Sequence, residues 1–197
     1  MKFVGDRPSK DLANGQLATG ILSAIDHAGD AWSDRLRGKR WADLGAAVFS
    51  NLSDHGVVWV VLAGVKARRP GVARRRAIWT LACAGVVSFS VNRVVKQLVG
   101  RSRPTTTGAA AQLPVALPVR HPSSSSFPSG HTLAAFCTAI ALGDGPGQTA
   151  AMVGIAAAVA ASRVHLRAHH LSDVLGGAGI GSAAGLAVRA LLDRRLG

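Results

Sequence analysis

The sequence Phe127-Pro128-Ser129-Gly130-His131 runs directly into an apolar segment at residues 132–142. Pro128 and Gly130 favour a bend, and Ser129 is a favourable N-cap residue for a following helix. The backbone N–H groups in the first turn of such a helix have no partners within it and bind anions readily. This stretch therefore predicts a polar turn that holds a phosphate-sized anion at the start of an apolar helix.

A second polar cluster, residues 96–104 with the sequence KQLVGRSRP, lies at the end of an earlier apolar segment. Lys96 ends a predicted helix, and Pro104 holds Arg103 in an extended segment. The two cations can thus approach one anion from different directions. Considered alone, the cluster is explained equally well by a solvated basic patch beside a membrane.

A third cluster, residues 162–173 with the sequence SRVHLRAHHLSD, precedes the last apolar segment. His169 and Asp173 are four residues apart, so we expect them to share one face of a helix. Asp173 would then hold one imidazole nitrogen and leave the other as a nucleophile or base. Arg163 adds a third cation. Each charge costs about 2.5 to 3.5 kcal/mol at the centre of a membrane helix, which favours a functional reason for such a group.

A metal site is an alternative interpretation of the third cluster. His165, His169 and Asp173 step along one predicted helical face and resemble a set of metal ligands. Arg163 and Arg167 would repel a cation, and no group of carboxylates supports the site. The pattern therefore favours an anion site over a metal site.

The composition favours a membrane protein. Of 197 residues, 48% are hydrophobic, and Ala and Gly dominate the apolar segments, as in membrane helices that pack through small residues. We predict an all-α, polytopic membrane helical bundle with about five spanning helices, at residues 44–65, 77–91, 132–142, 149–161 and 174–192. Gly177, Gly181 and Gly185 lie along one face of the last segment and predict close helix packing.

The net charge of +13 is concentrated in the loop at residues 66–76 and after the last apolar segment. This distribution is the positive-inside pattern of membrane proteins. No aromatic or recognition-helix pattern accompanies the charge, so no nucleic acid partner is expected. With the basic loop in the cytoplasm, the alternation of the later segments places all three polar clusters on the non-cytoplasmic face of the cell membrane.

The N-terminal residues 1–43 form a separate amphipathic segment before the membrane domain at residues 44–197. Trp32 and Trp41, with basic residues beside them, are typical of a helix at the membrane interface. A soluble helix packed on the domain fits this segment about equally well. Asp54 and His55 interrupt the first apolar segment. We predict a polar kink or an interfacial start there, with a functional role for the two residues as the alternative.

Taken together, the clusters spell Lys-x6-Arg-Pro, then Pro-Ser-Gly-His, then Ser-Arg-x5-His-x3-Asp. This order resembles the signature of the type 2 phosphatidic acid phosphatase superfamily, the membrane lipid phosphate phosphatases that share their site with vanadium-dependent haloperoxidases. The resemblance covers roughly residues 45 to 192. The Ala, Arg and Gly bias and the Ser-Asp-His-Gly sequence at the first span are similar to actinobacterial members.

The resemblance implies a role for each matched residue. His169 would attack phosphorus to give a phosphohistidine, with Asp173 orienting it. His131 would protonate the leaving alkoxide and later help to activate the hydrolytic water. The phosphoryl oxygens would be bound by Lys96, Arg103, Ser129, Gly130 and Arg163. Three cations and a helix N-terminus provide the charge stabilisation that phosphoryl transfer needs, so no metal or other cofactor is expected.

The implied function is that of an integral membrane lipid phosphatase, with a lipid phosphate and the membrane as its partners. The family's substrates include polyprenyl phosphates and diphosphates, phosphatidic acid, phosphatidylglycerophosphate and decaprenyl-phosphoryl phosphoribose, and the sequence does not choose among them. Two alternatives are a vanadate-dependent peroxidase and a non-catalytic lipid-phosphate binding or transport protein. Several apolar spans disfavour the first, and the presence of His131, His169 and Asp173 disfavours the second.

Overall fold

The computed structural model describes residues 10–104 and 125–196, and these residues form helices and no strand. The prediction of an all-α fold is confirmed. The helices are α1 Lys10–Asp34, α2 Arg40–Ser53, α3 Val57–Ala67, α4 Val72–Val99, α5 Gly130–Leu142, α6 Gly145–His165 and α7 Leu171–Leu196.

Two of the described helices, α4 and α7, are each long and apolar enough to cross a membrane. Helices α2 and α3 meet the same criterion only when they are taken together, and α5 is a shorter apolar helix. By length and composition, the described ranges thus contain two complete spans, or three if α2 and α3 count as one. The number of about five spans stays a prediction.

The first apolar segment, predicted as one span at residues 44–65, is broken. A short 3₁₀ turn at Asp54–Gly56 separates α2 from α3, and the two helices are bent by 64°. Gly56 has a φ of 71°, a left-handed conformation that glycine adopts without steric cost. Polar residues and glycine are weak helix formers, so the predicted polar kink is present.

Helix α5 lies at the centre of the bundle. Its fully buried residues include Leu133, Ala135, Cys137, Ala139 and Ala141. The glycines of α7 face this helix. A Cβ atom at Gly181 would overlap with the carbonyl oxygen of Leu133, and one at Gly185 would lie 2.7 Å from that of Cys137. The predicted close packing along this glycine face is confirmed, and it brings the start of α5 beside the start of α7.

Helix α1 packs on the turn between α6 and α7. After the end of α1, Arg37 donates from Nε to the carbonyl oxygen of His165 at 2.8 Å. Leu17, Ile21 and Trp32 on α1 stay exposed. The helix therefore contacts the bundle and also presents apolar side chains outward. Its position at a membrane interface stays a prediction. Residues 1–9 lie outside the described residues, and the domain boundary at residue 43 stays a prediction.

Candidate active site

The structure brings all three polar clusters to one cavity of about 350 Å³. Lys96 comes from the last turn of α4, and Arg103 from the chain after it. Gly130 and His131 come from the start of α5, and His169 from the turn before α7. Each residue lies at or beyond the end of an apolar helix. The site therefore forms where these helix ends meet, at one face of the bundle.

Three further predicted residues, Ser129, Arg163 and Asp173, are buried around this cavity, with relative exposures of 0%, 1% and 0%. Ser129 occupies the N-cap position of α5, but its side chain makes no capping hydrogen bond. Its hydroxyl accepts a hydrogen bond from Thr132, and its backbone N–H donates to the carbonyl oxygen of Asp173 at 3.1 Å. Ser129 therefore ties the start of α5 to the start of α7.

The contact between Arg103 and His169 fixes the tautomer of the histidine. Nη1 of Arg103 lies 3.2 Å from Nε2 of His169 and also donates to the carbonyl oxygen of Ala168 at 2.7 Å. A guanidinium can only donate, so Nε2 of the neutral imidazole is the acceptor and its proton lies on Nδ1. The unprotonated nitrogen, which is the nucleophilic one, is thus beside a cation that can bind a phosphoryl oxygen.

The predicted pairing of His169 with Asp173 needs a correction. His169 lies before α7, which begins at Leu171, so the two residues do not share a helical face. Nδ1 of His169 is 3.7 Å from Oδ2 of Asp173, beyond hydrogen-bonding distance, and it has no hydrogen-bond partner. Asp173 acts on the ring through its charge, because its oxygens accept hydrogen bonds from the His170 backbone at 2.9 Å and from Arg101 at 2.6 Å.

Burial, and to a smaller extent the positive charges of Arg103 and Arg163, lower the pKa of His169 to about 4. Asp173 acts in the opposite direction. An imidazole with this pKa is uncharged at neutral pH. The lone pair on Nε2 is therefore available under physiological conditions.

The buried guanidinium of Arg163 is only partly satisfied. Nη1 donates to Oγ of Ser50 at 2.5 Å, while Nε and Nη2 have no hydrogen-bond partner. Buried polar groups are nearly always paired in native proteins, and an unpaired charged group is costly. These two donors therefore suit an anionic ligand.

Two carboxylates, those of Asp54 and Asp26, lie beside predicted site residues or their partners and were not assigned to the site from the sequence. Oδ1 of Asp54, in the turn between α2 and α3, lies 2.9 Å from Nε2 of His131. Arg101 bridges Asp173 to Asp26 of α1, whose carboxylate lies 2.5 Å from the guanidinium. The only sequence signal for either carboxylate was an acidic residue within or beside an apolar segment, because no spacing rule connects positions this far apart.

The metal-ligand alternative for the third cluster lacks the required geometry. His165 points to another neighbour, with Nε2 at 2.8 Å from Oδ1 of Asp43 in α2. Across the described ranges, no group of three or more His, Cys, Asp or Glu side chains is arranged to hold a metal ion. His165, His169 and Asp173 therefore do not form a ligand set in this structure.

The chain is similar to several known proteins. The family model of the PAP2 superfamily matches residues 75–196. The decaprenylphosphoryl-5-phosphoribose phosphatase of Mycobacterium tuberculosis (strain H37Rv) is 32% identical over 140 residues, which cover 71% of this chain and 74% of that protein. The phosphatase of the same name from Mycolicibacterium smegmatis is 29% identical over 142 residues, covering 72% and 74%.

A solved structure shows the same fold. The crystal structure of a transmembrane PAP2 type phosphatidylglycerolphosphate phosphatase from Bacillus subtilis aligns with a TM-score of 0.67 and 23% sequence identity. The alignment covers 90% of this chain and 88% of that one. It therefore includes helices that precede the segment matched by the family model.

Proposed function

This chain belongs to the PAP2 superfamily, and on that premise we propose that it is a membrane lipid phosphatase that works through a phosphohistidine intermediate. One observation carries the proposal. His131, His169, Lys96 and Arg103, from three separate parts of the sequence, line one cavity whose remaining wall is largely apolar and includes Trp59 and Phe89. Such a cavity suits a phosphate at one end and a lipid chain at the other.

In the proposed first step, the lone pair on Nε2 of His169 attacks phosphorus. The N–P bond forms while the bond from phosphorus to the lipid oxygen breaks, and His131 transfers a proton to that oxygen. The proton on Nδ1 of His169 stays in place, where the charge of Asp173 stabilises the cationic ring. In the second step, water attacks phosphorus, passes a proton to His131 and releases inorganic phosphate and His169.

The charge that develops on the phosphoryl oxygens would be stabilised by Lys96, Arg103, Arg163 and the N-terminus of α5. The unpartnered donors of Arg163 support this assignment, since they are buried and already in place before a ligand arrives. Gly130 would contribute its backbone N–H at the helix start. Ser129 would contribute its hydroxyl proton, because its backbone N–H already donates to the carbonyl oxygen of Asp173. This arrangement needs no metal ion for charge stabilisation.

For the substrate, we propose a polyprenylphosphoryl phosphoribose as the first candidate. Two relatives that are about 30% identical over most of their length carry the name decaprenylphosphoryl-5-phosphoribose phosphatase. Phosphatidylglycerophosphate is the next candidate, from the name of the Bacillus subtilis protein, whose likeness supports the fold alone. The polyprenyl chain would leave the site along the apolar wall of the cavity.

We propose that the site lies on the non-cytoplasmic side of the membrane. Arg76 in α4 and Asp193 near the end of α7 form an ion pair at 2.5 Å, so the start of α4 lies beside the end of α7. The basic loop at residues 66–76 and the Arg-rich C-terminus therefore share one end of the bundle, while Lys96 and Asp173 lie towards the other ends of the same two helices. By the positive-inside rule, the basic end is cytoplasmic.

The proposal is tested by the release of inorganic phosphate from a panel of lipid phosphates in detergent. We expect release by the intact protein in EDTA, none by His169→Ala, and normal release by the control His27→Ala, which changes an exposed histidine of α1. Loss of activity in EDTA would favour a metal mechanism. Binding of lipid phosphates without release would favour a non-catalytic protein, and halide oxidation with vanadate would favour a peroxidase.

A further inference from the structure

We infer that Asp54 is a positioning residue for His131 in this reaction. The inference deepens the proposed function and rests on it, because it assigns the partner of the side chain that protonates the leaving oxygen. Asp54 lies outside the segment matched by the family model, residues 75–196. Asp54 lies in the turn between α2 and α3. The break in the first apolar segment would therefore serve the reaction by bringing Asp54 to His131.

The contact is short and specific. Oδ1 of Asp54 lies 2.9 Å from Nε2 of His131, across 77 positions of sequence. The side chains are 17% and 25% exposed, so the pair lies at the edge of the site and not deep in the core. Ser53 and Gly56, on either side of Asp54 in the sequence, line the same cavity as His131.

This contact decides which nitrogen of His131 can react. A carboxylate accepts but does not donate, so Nε2 of His131 carries a proton and points it to Asp54. Only Nδ1 is left to exchange a proton with the reaction. When His131 is an imidazolium, Nδ1–H transfers its proton to the leaving oxygen, and the ring becomes neutral while Nε2–H stays bonded to Asp54. In the second step, Nδ1 takes the proton from the attacking water.

Asp54 would serve this cycle in two ways. Its negative charge favours the imidazolium that must form before the proton is given to the leaving oxygen. Its hydrogen bond holds the ring so that Nδ1 keeps one orientation, as a carboxylate does for the base of other hydrolases. A lipid alkoxide is a poor leaving group, so the first step depends strongly on this proton transfer.

The test compares leaving groups. We would measure kcat/KM, which reports on phosphoenzyme formation, for substituted phenyl phosphates from p-nitrophenyl phosphate to phenyl phosphate, and for a short-chain alkyl phosphate. For Asp54→Asn we expect a loss of about 100-fold on the alkyl phosphate, as for a general acid. On p-nitrophenyl phosphate, whose leaving group needs no proton, we expect a loss of less than about 3-fold.

Two variants make the comparison specific. Asp54→Glu keeps the carboxylate, so we expect it to recover part of the activity on the alkyl phosphate. Asp193→Asn removes an aspartate that pairs with Arg76 and not with the site, so we expect no change with any leaving group. If Asp54→Asn does not fold, Asp54→Ser removes the charge with a smaller side chain and should show the same selectivity.

An equal loss across all leaving groups in a folded Asp54 variant would assign Asp54 a purely structural role and overturn the inference. Unchanged activity on the alkyl phosphate would also overturn it. The variant His169→Ala tests the proposed function separately from the role of Asp54, because it should be inactive on every substrate. If His169→Ala still forms phosphate at the normal rate, the proposed function itself fails, whatever the result for Asp54.

Discussion

Asp26 and Arg101 form an ion pair at 2.5 Å that joins the N-terminal helix to the candidate active site. The other end of the same guanidinium donates to Asp173 at 2.6 Å, and Asp26 also accepts a hydrogen bond from the backbone N–H of Ser172 at 2.9 Å. Helix α1 lies outside the segment matched by the family model. Through Arg101, this helix nevertheless fixes the position of the Asp173 carboxylate, which lies beside His169.

Asp26→Asn should lower the rate of phosphate release. The substitution removes the negative charge that holds the Arg101 guanidinium in place. Asp173, which lies beside His169, then has a less well fixed hydrogen-bond donor in Arg101. We expect kcat to fall by about tenfold, equivalent to about 1.4 kcal/mol of transition-state stabilisation, with little change in KM. Steady-state kinetics in detergent measures both constants.

The matched control for this prediction is Asp30→Asn, one helical turn further along α1. Asp26 and Asp30 both line a second cavity, which lies beside α1 and is also lined by Arg101. Asp30 is not among the partners of Arg101. Its substitution should leave kcat within about twofold, a free-energy difference of under ~0.5 kcal/mol. An equal decrease in kcat for Asp26→Asn and Asp30→Asn would contradict the prediction. It would mean that α1 affects the reaction only through its net charge or its packing.

His169 should stay uncharged throughout the physiological pH range. Its pKa is lowered to about 4 by burial and by the neighbouring arginines, so the imidazole gains a proton only well below pH 6. NMR of protein labelled with ¹³C-histidine, with the signal assigned by its absence in His169→Ala, should show no titration of this ring between pH 5.5 and 8. A midpoint near 6.5 would contradict the predicted environment.

The lowered pKa of His169 also predicts how the free energy of unfolding depends on pH. Between pH 6.5 and about 4, the unfolded chain binds a proton at His169 that the folded protein does not. The contribution of this residue to the free energy of unfolding is therefore fully present above pH 6.5 and decreases as the pH falls through this window. Thermal unfolding of intact protein and His169→Gln over this range should show a smaller decrease in the variant.

Inorganic phosphate should stabilise the protein through Arg163. The unpartnered donors of this guanidinium are satisfied when an anion binds, and a ligand at 100 times its Kd adds about 2.7 kcal/mol to the free energy of unfolding. For a chain of this size we expect Tm to rise by about 5 to 10 °C. Arg163→Gln should lose this response, and the control Arg195→Gln, at the exposed C-terminus, should keep it.

Gly181→Ala should destabilise the bundle, because the added methyl group overlaps with the carbonyl oxygen of Leu133. Overpacking of this kind costs about 1 to 3 kcal/mol. Gly179 is on the same helix, and a Cβ atom there meets nothing within 4 Å. Gly179→Ala should therefore leave Tm unchanged or slightly higher, and thermal unfolding in detergent compares the two variants directly.

The helices and the polar turn at the start of α5 were predictable because their signals are local. An apolar segment of sufficient length favours a helix wherever it lies, and Gly177, Gly181 and Gly185 indicate close packing by their spacing alone. The break in the first apolar segment was also visible, as a group of polar residues ending in Gly56. The position of the break could be predicted because it depends on adjacent residues. The contact of Asp54 with His131 could not, because it joins residues that are 77 positions apart.

Periodicity, hydropathy and motif spacing are carried by neighbouring residues, so the sequence was sufficient to predict an all-helical membrane protein with the PAP2 signature. Three relationships are visible only in the folded chain. Asp54 contacts His131, Asp26 is linked to Asp173 through Arg101, and His169 approaches Asp173 from outside α7. These relationships join residues from helices and turns that are distant in the sequence. They depend on how the helices pack, and helix packing is set by the shapes of buried surfaces that no single segment contains.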